Sequence, residues 1–309
     1  RLIILFAIPL MLGNICQQLY TMVDTMVVGQ IAGVEALAAL GAVDFLMWVV
    51  TGISTGLTQG FSIQLSQYYG AKDFENLRKS LAHSYRLTAF IAVGVFILSQ
   101  SFAALVLTGL HTPSNIIGMS LLYLRIIFCG IPATAAYNMF AAALRAMGNS
   151  KTPLTAMIIA SVLNISLDIL FVAGFGWGVA GAAIATVIAQ SFSAVYCFLI
   201  LRRIDIVHLS RADFMSAAGM NARLMKLGIP VVFQNIIIGV GGLVVQYVIN
   251  GYGFLFVAGF TATNKLYGLL EMAAISYGYA IVTYVGQNLG AGKIDRIRKG
   301  VRSSMLLSL

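Results

Sequence analysis

Residues 66–79, Ser66-Gln67-Tyr68-Tyr69-Gly70-Ala71-Lys72-Asp73-Phe74-Glu75-Asn76-Leu77-Arg78-Lys79, have a counterpart 220 residues further on. It is Gly286-Gln287-Asn288-Leu289-Gly290-Ala291-Gly292-Lys293-Ile294-Asp295-Arg296-Ile297-Arg298-Lys299. Gln67, Gly70, Ala71, Arg78 and Lys79 recur as Gln287, Gly290, Ala291, Arg298 and Lys299. Upstream, Ile8-Pro9 recurs as Ile229-Pro230 and Asn14 as Asn235, at an offset of 221, so one residue is lost between. Each copy reads as a helix with a proline near its start, then a second helix that ends in Gly-Ala before a basic helix start. The chain is built on an internal duplication of long apolar helices.

Composition says where those helices live. Of 309 residues, 60% are hydrophobic and 9% charged, with a mean hydropathy of +0.92. Average soluble domains carry about 25% charged residues. A soluble protein of this size could not cover its surface with so few polar groups. That excludes an ordinary cytosolic enzyme, a disordered chain and a nucleic-acid module. The net charge of +9 therefore points to the loops of a membrane protein. Cys16, Cys129 and Cys197 lie in apolar runs without metal-like spacing and read as small core hydrophobes. No small-residue cleavage site follows Arg1, so the N-terminal apolar run does not read as a signal peptide.

A helix needs about 20 apolar residues to cross the hydrocarbon core. Charge-free runs and turn signals predict eight spans, near 5–32, 36–69, 77–108, 114–147, 153–174, 179–202, 224–250 and 255–289, with a ninth starting near 294. Thr112 is expected to cap the fourth, with Pro113 in its first turn, and Asn149 to Pro153 to open the fifth. Sorting Lys and Arg by loop gives a complete alternation. The loops after spans 2, 4, 6 and 8 hold Lys72, Arg78, Lys79 and Arg86; Arg145 and Lys151; Arg202, Arg203, Arg211, Arg223 and Lys226; and Lys293, Arg296, Arg298, Lys299 and Arg302. The other loops hold none. The positive-inside rule puts the basic loops and the N-terminus in the cytoplasm.

Six spans separate equivalent positions of the duplication, so both copies face the same way, as in parallel repeats of secondary transporters. The expected fold class is all-α: a polytopic membrane protein with a six-helix lobe plus the first helices of a second, pseudo-symmetric lobe. The domains are expected at 1–203 (first lobe), 204–222 (cytoplasmic linker) and 223–309 (partial second lobe). Two full copies would need about 440 residues, leaving about 130 outside this sequence.

Ionisable groups inside a span cost several kcal/mol and are functional candidates by default. They are Asp24, Asp44, Arg125, Asp168, Lys265 and Glu271. Asn164 lies one helical turn before Asp168, and nearby spans carry Thr186, Asn138 and Tyr123. Carboxylate, amide and hydroxyl oxygens together suit Na⁺ or a proton. Asp24, Asp168, Asn164 and Thr186 are the candidate Na⁺ donors. Asp24 maps onto Val245, so the acid is not a shared packing element. The alternative is that Arg125 or a backbone donor satisfies both acids structurally. Asp44 and Lys265, 221 apart, read as equivalent positions that meet across the lobes and close the outer side. Otherwise Lys265 pairs with Glu271 or snorkels. Gln17 and Tyr20 join Asp44, Lys265 and Glu271 as candidate cavity or gate residues, and Phe45, Trp48 and Phe61 as aromatics that either line a cavity or simply pack. Gly52, Gly56 and Gly60 mark a close helix contact. His83, His111 and His208 are expected in loops or at helix ends and show no ligand-like spacing, and no ATP-binding or hydrolytic motif is present.

Several stretches together resemble the multidrug and toxic compound extrusion (MATE) family. They are Pro9, Asp24 to Gly29 (DTMVVG), Ser66 to Ala71 (SQYYGA), Leu144 to Asn149 (LRAMGN) before Thr152-Pro153, Asn164 to Asp168 (NISLD), Gly178 to Ala183 (GVAGAA) and Gln287 to Ala291 (QNLGA). The resemblance covers the whole chain. It implies a two-lobed, twelve-helix antiporter that exports amphipathic, cationic drugs or metabolites in exchange for H⁺ or Na⁺ by alternating access. It implies a multi-pass protein of the plasma (bacterial inner) membrane, a transporter and not an enzyme. The implied partners are a small-molecule substrate and the lipid bilayer, with no nucleic acid and a monomeric state. No cofactor is implied beyond the coupling ion, whose site matches here at Asp24 and Asp168, with Asn164, Thr186, Asn138 and Tyr123 around them. The acid that some relatives carry in the seventh span has no match, because 224–250 holds no Asp or Glu. The alternative is a flippase for lipid-linked saccharides, from the related superfamily. It would need more cations inside the cavity than Arg125 and Lys265.

Overall fold

A computed structural model describes residues 2–215 and 219–307; Arg1, three residues of the expected linker (216–218) and 308–309 lie outside it. Every element among the described residues is helical. The helices are α1 (Leu2–Ile31), α2 (Val34–Gly41), α3 (Asp44–Gly70), α4 (Phe74–Gly109), α5 (Ile117–Cys129), α6 (Ile131–Ala146), α7 (Lys151–Asp168), α8 (Gly178–Leu201), α9 (Met220–Asn250), α10 (Phe254–Gly290) and α11 (Ile294–Leu307). By length and apolarity six spans qualify among the described residues, seven when α5 and α6 count as one. The expected eighth span is present as the single 37-residue α10, which carries Lys265 and Glu271 and is not among those seven.

Two expected spans are broken. The second divides at Ala42–Val43 into α2 and α3. The fourth divides at Gly130, where α5 and α6 meet at 48°. Pro132 sits in the first turn of α6, where its missing N–H costs nothing and its ring favours a new start. Thr112 does not cap the fourth span. Its N–H bonds Leu107 O while His111 takes a left-handed φ of 51°, so the pair closes α4 instead, and helix resumes only at Ile117. The fifth starts at Lys151 after Ser150, and Asn149, one residue earlier, accepts from Thr152 N at 3.1 Å.

The duplication is visible in the backbone. Gly33 and Gly253 precede α2 and α10 with φ of 95° and 84°, which only glycine adopts freely. Both copies end at equivalent glycines, Gly70 and Gly290. The lost residue therefore lies before Gly33, and the offset beyond it is 220. This corrects one expectation: Asp44 is equivalent to Asn264, and Lys265 to Phe45.

Among the helix pairs that join the copies, two are exchanged by the repeat. In one, α3 packs on α9. Asn235 Nδ2 donates to Gly52 O at 3.0 Å, and a Cβ on Gly56 would lie 2.8 Å from Val232 N. A Cβ on Gly60 would run into the backbone of Gly228. The glycine stripe thus brings two backbones into contact, where dispersion holds membrane helices together. In the other pair, α1 packs on α10. Asn14 Nδ2 donates to Ser276 Oγ at 2.8 Å, Gln18 Nε2 donates to Lys265 O at 3.0 Å, and Ala7 clusters with Ala280. On the pseudo-axis, Gly70 meets the Gln287 backbone and Gly290 meets the Gln67 backbone reciprocally.

The segment between α8 and α9 is tied to α4. Arg78 pairs with Asp213 at 3.8 Å, and His83 bonds Asn221 Oδ1 and Met215 O. His83 is therefore a buried tether inside α4 rather than a loop or helix-end residue. Of the cysteines, Cys197 is buried as expected, but Cys129 is exposed at the end of α5 and accepts from Gln100 Nε2.

Candidate functional site

Asp24 lies on α1, seven residues before its end, and is 3% exposed. Asp168 is the last α-helical residue of α7 and is fully buried. Directly after it the helix widens into one π turn, Ile169–Gly174, closed by Phe175 N to Leu170 O at 2.9 Å. Such turns often accompany functional residues. Asn164, one turn earlier, is also fully buried, and its Nδ2 donates to Thr186 Oγ1 on α8 at 3.4 Å.

What these groups lack is a donor. Among the described residues, Asp24 Oδ1, both oxygens of Asp168 and Asn164 Oδ1 are buried without a hydrogen-bond partner. Buried polar atoms are rarely left so, and each such atom calls for an explanation. A cation between two carboxylates relieves their repulsion and supplies what the oxygens lack. The donor set suits a proton or a hard alkali cation. No cluster of three or more His, Cys, Asp or Glu exists among the described residues, so any cation here draws on the amide and hydroxyl oxygens as well.

The surrounding residues divide into two groups. Tyr20 and Tyr123 are buried. Gln190 Nε2 donates to Tyr20 Oη at 3.0 Å. Asn138 turns instead to α3, donating to Thr55 Oγ1 at 3.1 Å. Neither acid is satisfied by Arg125, which is exposed. Sequence reading missed Gln190, Gln18 and Thr55. Polar residues at membrane depth were the signal, but their partners depend on helix rotation.

At the other end of the constellation, Lys265 Nζ donates to Asp44 Oδ1 at 2.9 Å. Glu271 is exposed, so the alternative pairing is not the one formed. A cavity of about 250 Å³ borders Lys265, lined also by Met22, Thr25 and Gly29 of α1, Leu37 of α2, and Ala262 and Leu266 of α10. A second, of about 490 Å³, lies near the basic loops between α1 and α10. The aromatic candidates do not line either. Phe61 is core, Phe45 packs on Gly242, and Trp48 is 44% exposed.

The chain has known counterparts. Probable multidrug resistance protein YpnP of Bacillus subtilis (strain 168) is 32% identical over 295 residues, 96% of this chain and 66% of that protein. Probable multidrug resistance protein YoeA of the same organism is 29% identical over 312 residues, 98% of this chain and 67% of that one. A solved structure, the outward-facing conformation of a multidrug resistance MATE family transporter of the MOP superfamily, superposes with a TM-score of 0.90 at 23% identity. The match covers 99% of this chain and 68% of that one. The chain thus spans about two thirds of the length of the relatives it matches. The MatE family model matches residues 9–170 and 230–309, both copies of the duplication. On these grounds the chain belongs to the MatE family.

Proposed function

We propose that the chain supplies the first lobe (1–203), a cytoplasmic linker (204–222) and the start of the second lobe (223–309) of an ion-coupled exporter. The exporter takes amphipathic, cationic drugs or metabolites across the plasma membrane in exchange for H⁺ or Na⁺. Asp24 and Asp168 hold the coupling cation, with Asn164 and Thr186 contributing oxygens and Tyr20 and Tyr123 closing the site. The observation that carries this reading is that Asp24 and Asp168 are the only carboxylates among the buried, unpartnered groups of the described residues, with Asn164 Oδ1 one turn before Asp168 also unpartnered. The basic loops support an N-terminus in the cytoplasm. The two inter-lobe seams support alternating access in which α3–α9, backbone against backbone, acts as the pivot and α1–α10, which borders both cavities, is the line of parting. A saccharide-lipid flippase is less well served: Arg125 is exposed, and Lys265 is already paired.

The test reconstitutes the full-length protein in vesicles and follows efflux of a cationic dye under a pH gradient and a Na⁺ gradient separately. One gradient is expected to drive efflux, and Asp168→Asn to reduce the driven rate about tenfold or more, as expected for losing a charged ligand. A wild-type protein that answers to neither gradient overturns the reading.

A further inference from the structure

We infer that the 490 Å³ cavity on the basic-loop side of the α1–α10 seam binds the phosphate group of an anionic phospholipid, held between Lys72 of the first copy and Lys293 and Arg296 of the second. This goes beyond the exporter reading and does not depend on it.

Three observations carry it. First, the cavity has cations and no acid. Lys72, Lys293 and Arg296 line it, and among the described residues no Asp or Glu does. None of the three cations makes an ion pair among the described residues. The acids nearest in sequence are otherwise placed: Asp73 bonds Asn76, Glu75 pairs with Lys79, and Asp295 is exposed outside the lining. Second, a buried hydroxyl is left free beside it. Thr283 of α10 lines the cavity, is 6% exposed and has no side-chain hydrogen bond among the described residues. Buried polar groups are rarely left so, and a phosphate oxygen would accept from this one. Third, the duplication turns toward positive charge here. Lys72 takes a left-handed φ of 59°, where its equivalent, Gly292, has 69°. Glycine is the residue this conformation favours, and a lysine held in it points to a role for the side chain. In the first copy α4 opens with Asp73 bonded to Asn76, and in the second copy Lys293 and Arg296 stand at those two positions. Each change adds a charge to one cavity.

The rest of the wall says what kind of anion fits. Ile3 and Phe6 of α1 and Ala280 of α10 belong to it, and Ile4, Leu5 and Ile8 at the same end of α1 are exposed. A ligand that is anionic at one end and apolar at the other satisfies both parts. Basic pockets between membrane helices are where anionic lipid headgroups are recognised. Arg296 can take two phosphate oxygens at once, while the lysines act as point charges. Tyr284 Oη donates to Arg296 O at 3.1 Å and so fixes that residue beside the cavity. A phosphate held here is gripped by both copies and ties the basic-loop end of the α1–α10 seam.

The test measures binding of phosphatidylglycerol and of phosphatidylcholine to the full-length protein in detergent micelles by native mass spectrometry. The wild type is expected to hold one phosphatidylglycerol about tenfold or more tightly than phosphatidylcholine, and each cation removed to weaken it about fivefold, the scale of one basic side chain meeting an anionic headgroup. Lys72→Gly is the sharpest variant. It removes a charge and relieves the left-handed backbone, so affinity falls while the thermal midpoint holds or rises. Thr283→Val keeps the shape, removes the hydroxyl and should weaken binding about tenfold, as for a hydrogen bond to a charged group. Replacing Arg203, Arg211 and Lys226, basic residues outside the cavity, by glutamine should leave the affinity unchanged. A loss as large from that set as from Lys72→Gly, Lys293→Gln, Arg296→Gln would mean general attraction to the basic side and overturns the site. Equal binding of the two lipids by the wild type overturns it as well. Inorganic phosphate is expected to compete only weakly, because it lacks the acyl chains. A cavity that inorganic phosphate fills as tightly as phosphatidylglycerol overturns the lipid as the source of the phosphate.

Discussion

The α3–α9 and α1–α10 seams are copies of one another by duplication, yet they are made of different chemistry. Asn235 and Asn14 are equivalent, but Asn235 donates to a backbone carbonyl and Asn14 to a serine hydroxyl. Gly60 and Gly228 touch where Ala280 and Ala7 stand in the other copy. Removing side chains from one seam lets backbones meet and leaves little freedom. Keeping them in the other leaves cavities and polar bonds that can be broken and remade. A duplicated interface has thus become one rigid edge and one openable edge.

The largest effect should come from locking the openable edge. In a background with Cys16, Cys129 and Cys197 replaced by alanine, oxidising an Asn14→Cys, Ser276→Cys pair should stop dye efflux, and reductant should restore it. Oxidising Gly52→Cys, Asn235→Cys on the rigid edge should spare most of the activity. The Cβ separation there is 3.2 Å, a few tenths below the disulfide range of about 3.5–4.5 Å. Equal inhibition by both cross-links would remove the distinction between pivot and parting line. Next in size is overpacking. Gly56→Leu must push the α9 backbone away and is expected to cost up to ~3 kcal/mol, read as a lower thermal midpoint in detergent. An unchanged midpoint would show that the glycine stripe does not carry the contact. The smallest effect is Asn14→Ala, about 0.6 kcal/mol for one interhelical hydrogen bond. A loss as large as that of Gly56→Leu would mean the polar seam is not the weaker one.

Much of this was legible before any coordinates. The emptiness of every second loop of Lys and Arg placed the helices, and Gln67-Gly70 with Gln287-Gly290 exposed the duplication. Asp24, Asp168 and Asn164 stood out because charge and amide groups at membrane depth are costly. The break at Ala42–Val43 was not legible, since no Pro marks it and Gly41 and Asp44, which flank it, stand in a run that is otherwise apolar. The π turn after Asp168 likewise falls in a plain apolar run, Ile169 to Gly174. Pro132 did signal the bend at Gly130, but apolar length masked it. Asn138 was placed with the acids by depth alone, and its rotation toward Thr55 is a property of packing. The Asp44–Lys265 meeting was read from a register one residue off. It occurs because both lie near the axis of the duplication, where neighbouring positions also reach each other.

That ion pair joins residues 221 positions apart. On the ribosome Asp44 enters the bilayer long before Lys265 exists. At about 5–20 residues per second, the delay is roughly 10–45 s. For that time a carboxylate and an uncovered glycine stripe on α3 stand in lipid without their partners. The first lobe has to survive its own synthesis half-dressed, so the stage most exposed to quality-control proteases is set by where in the gene the second copy begins.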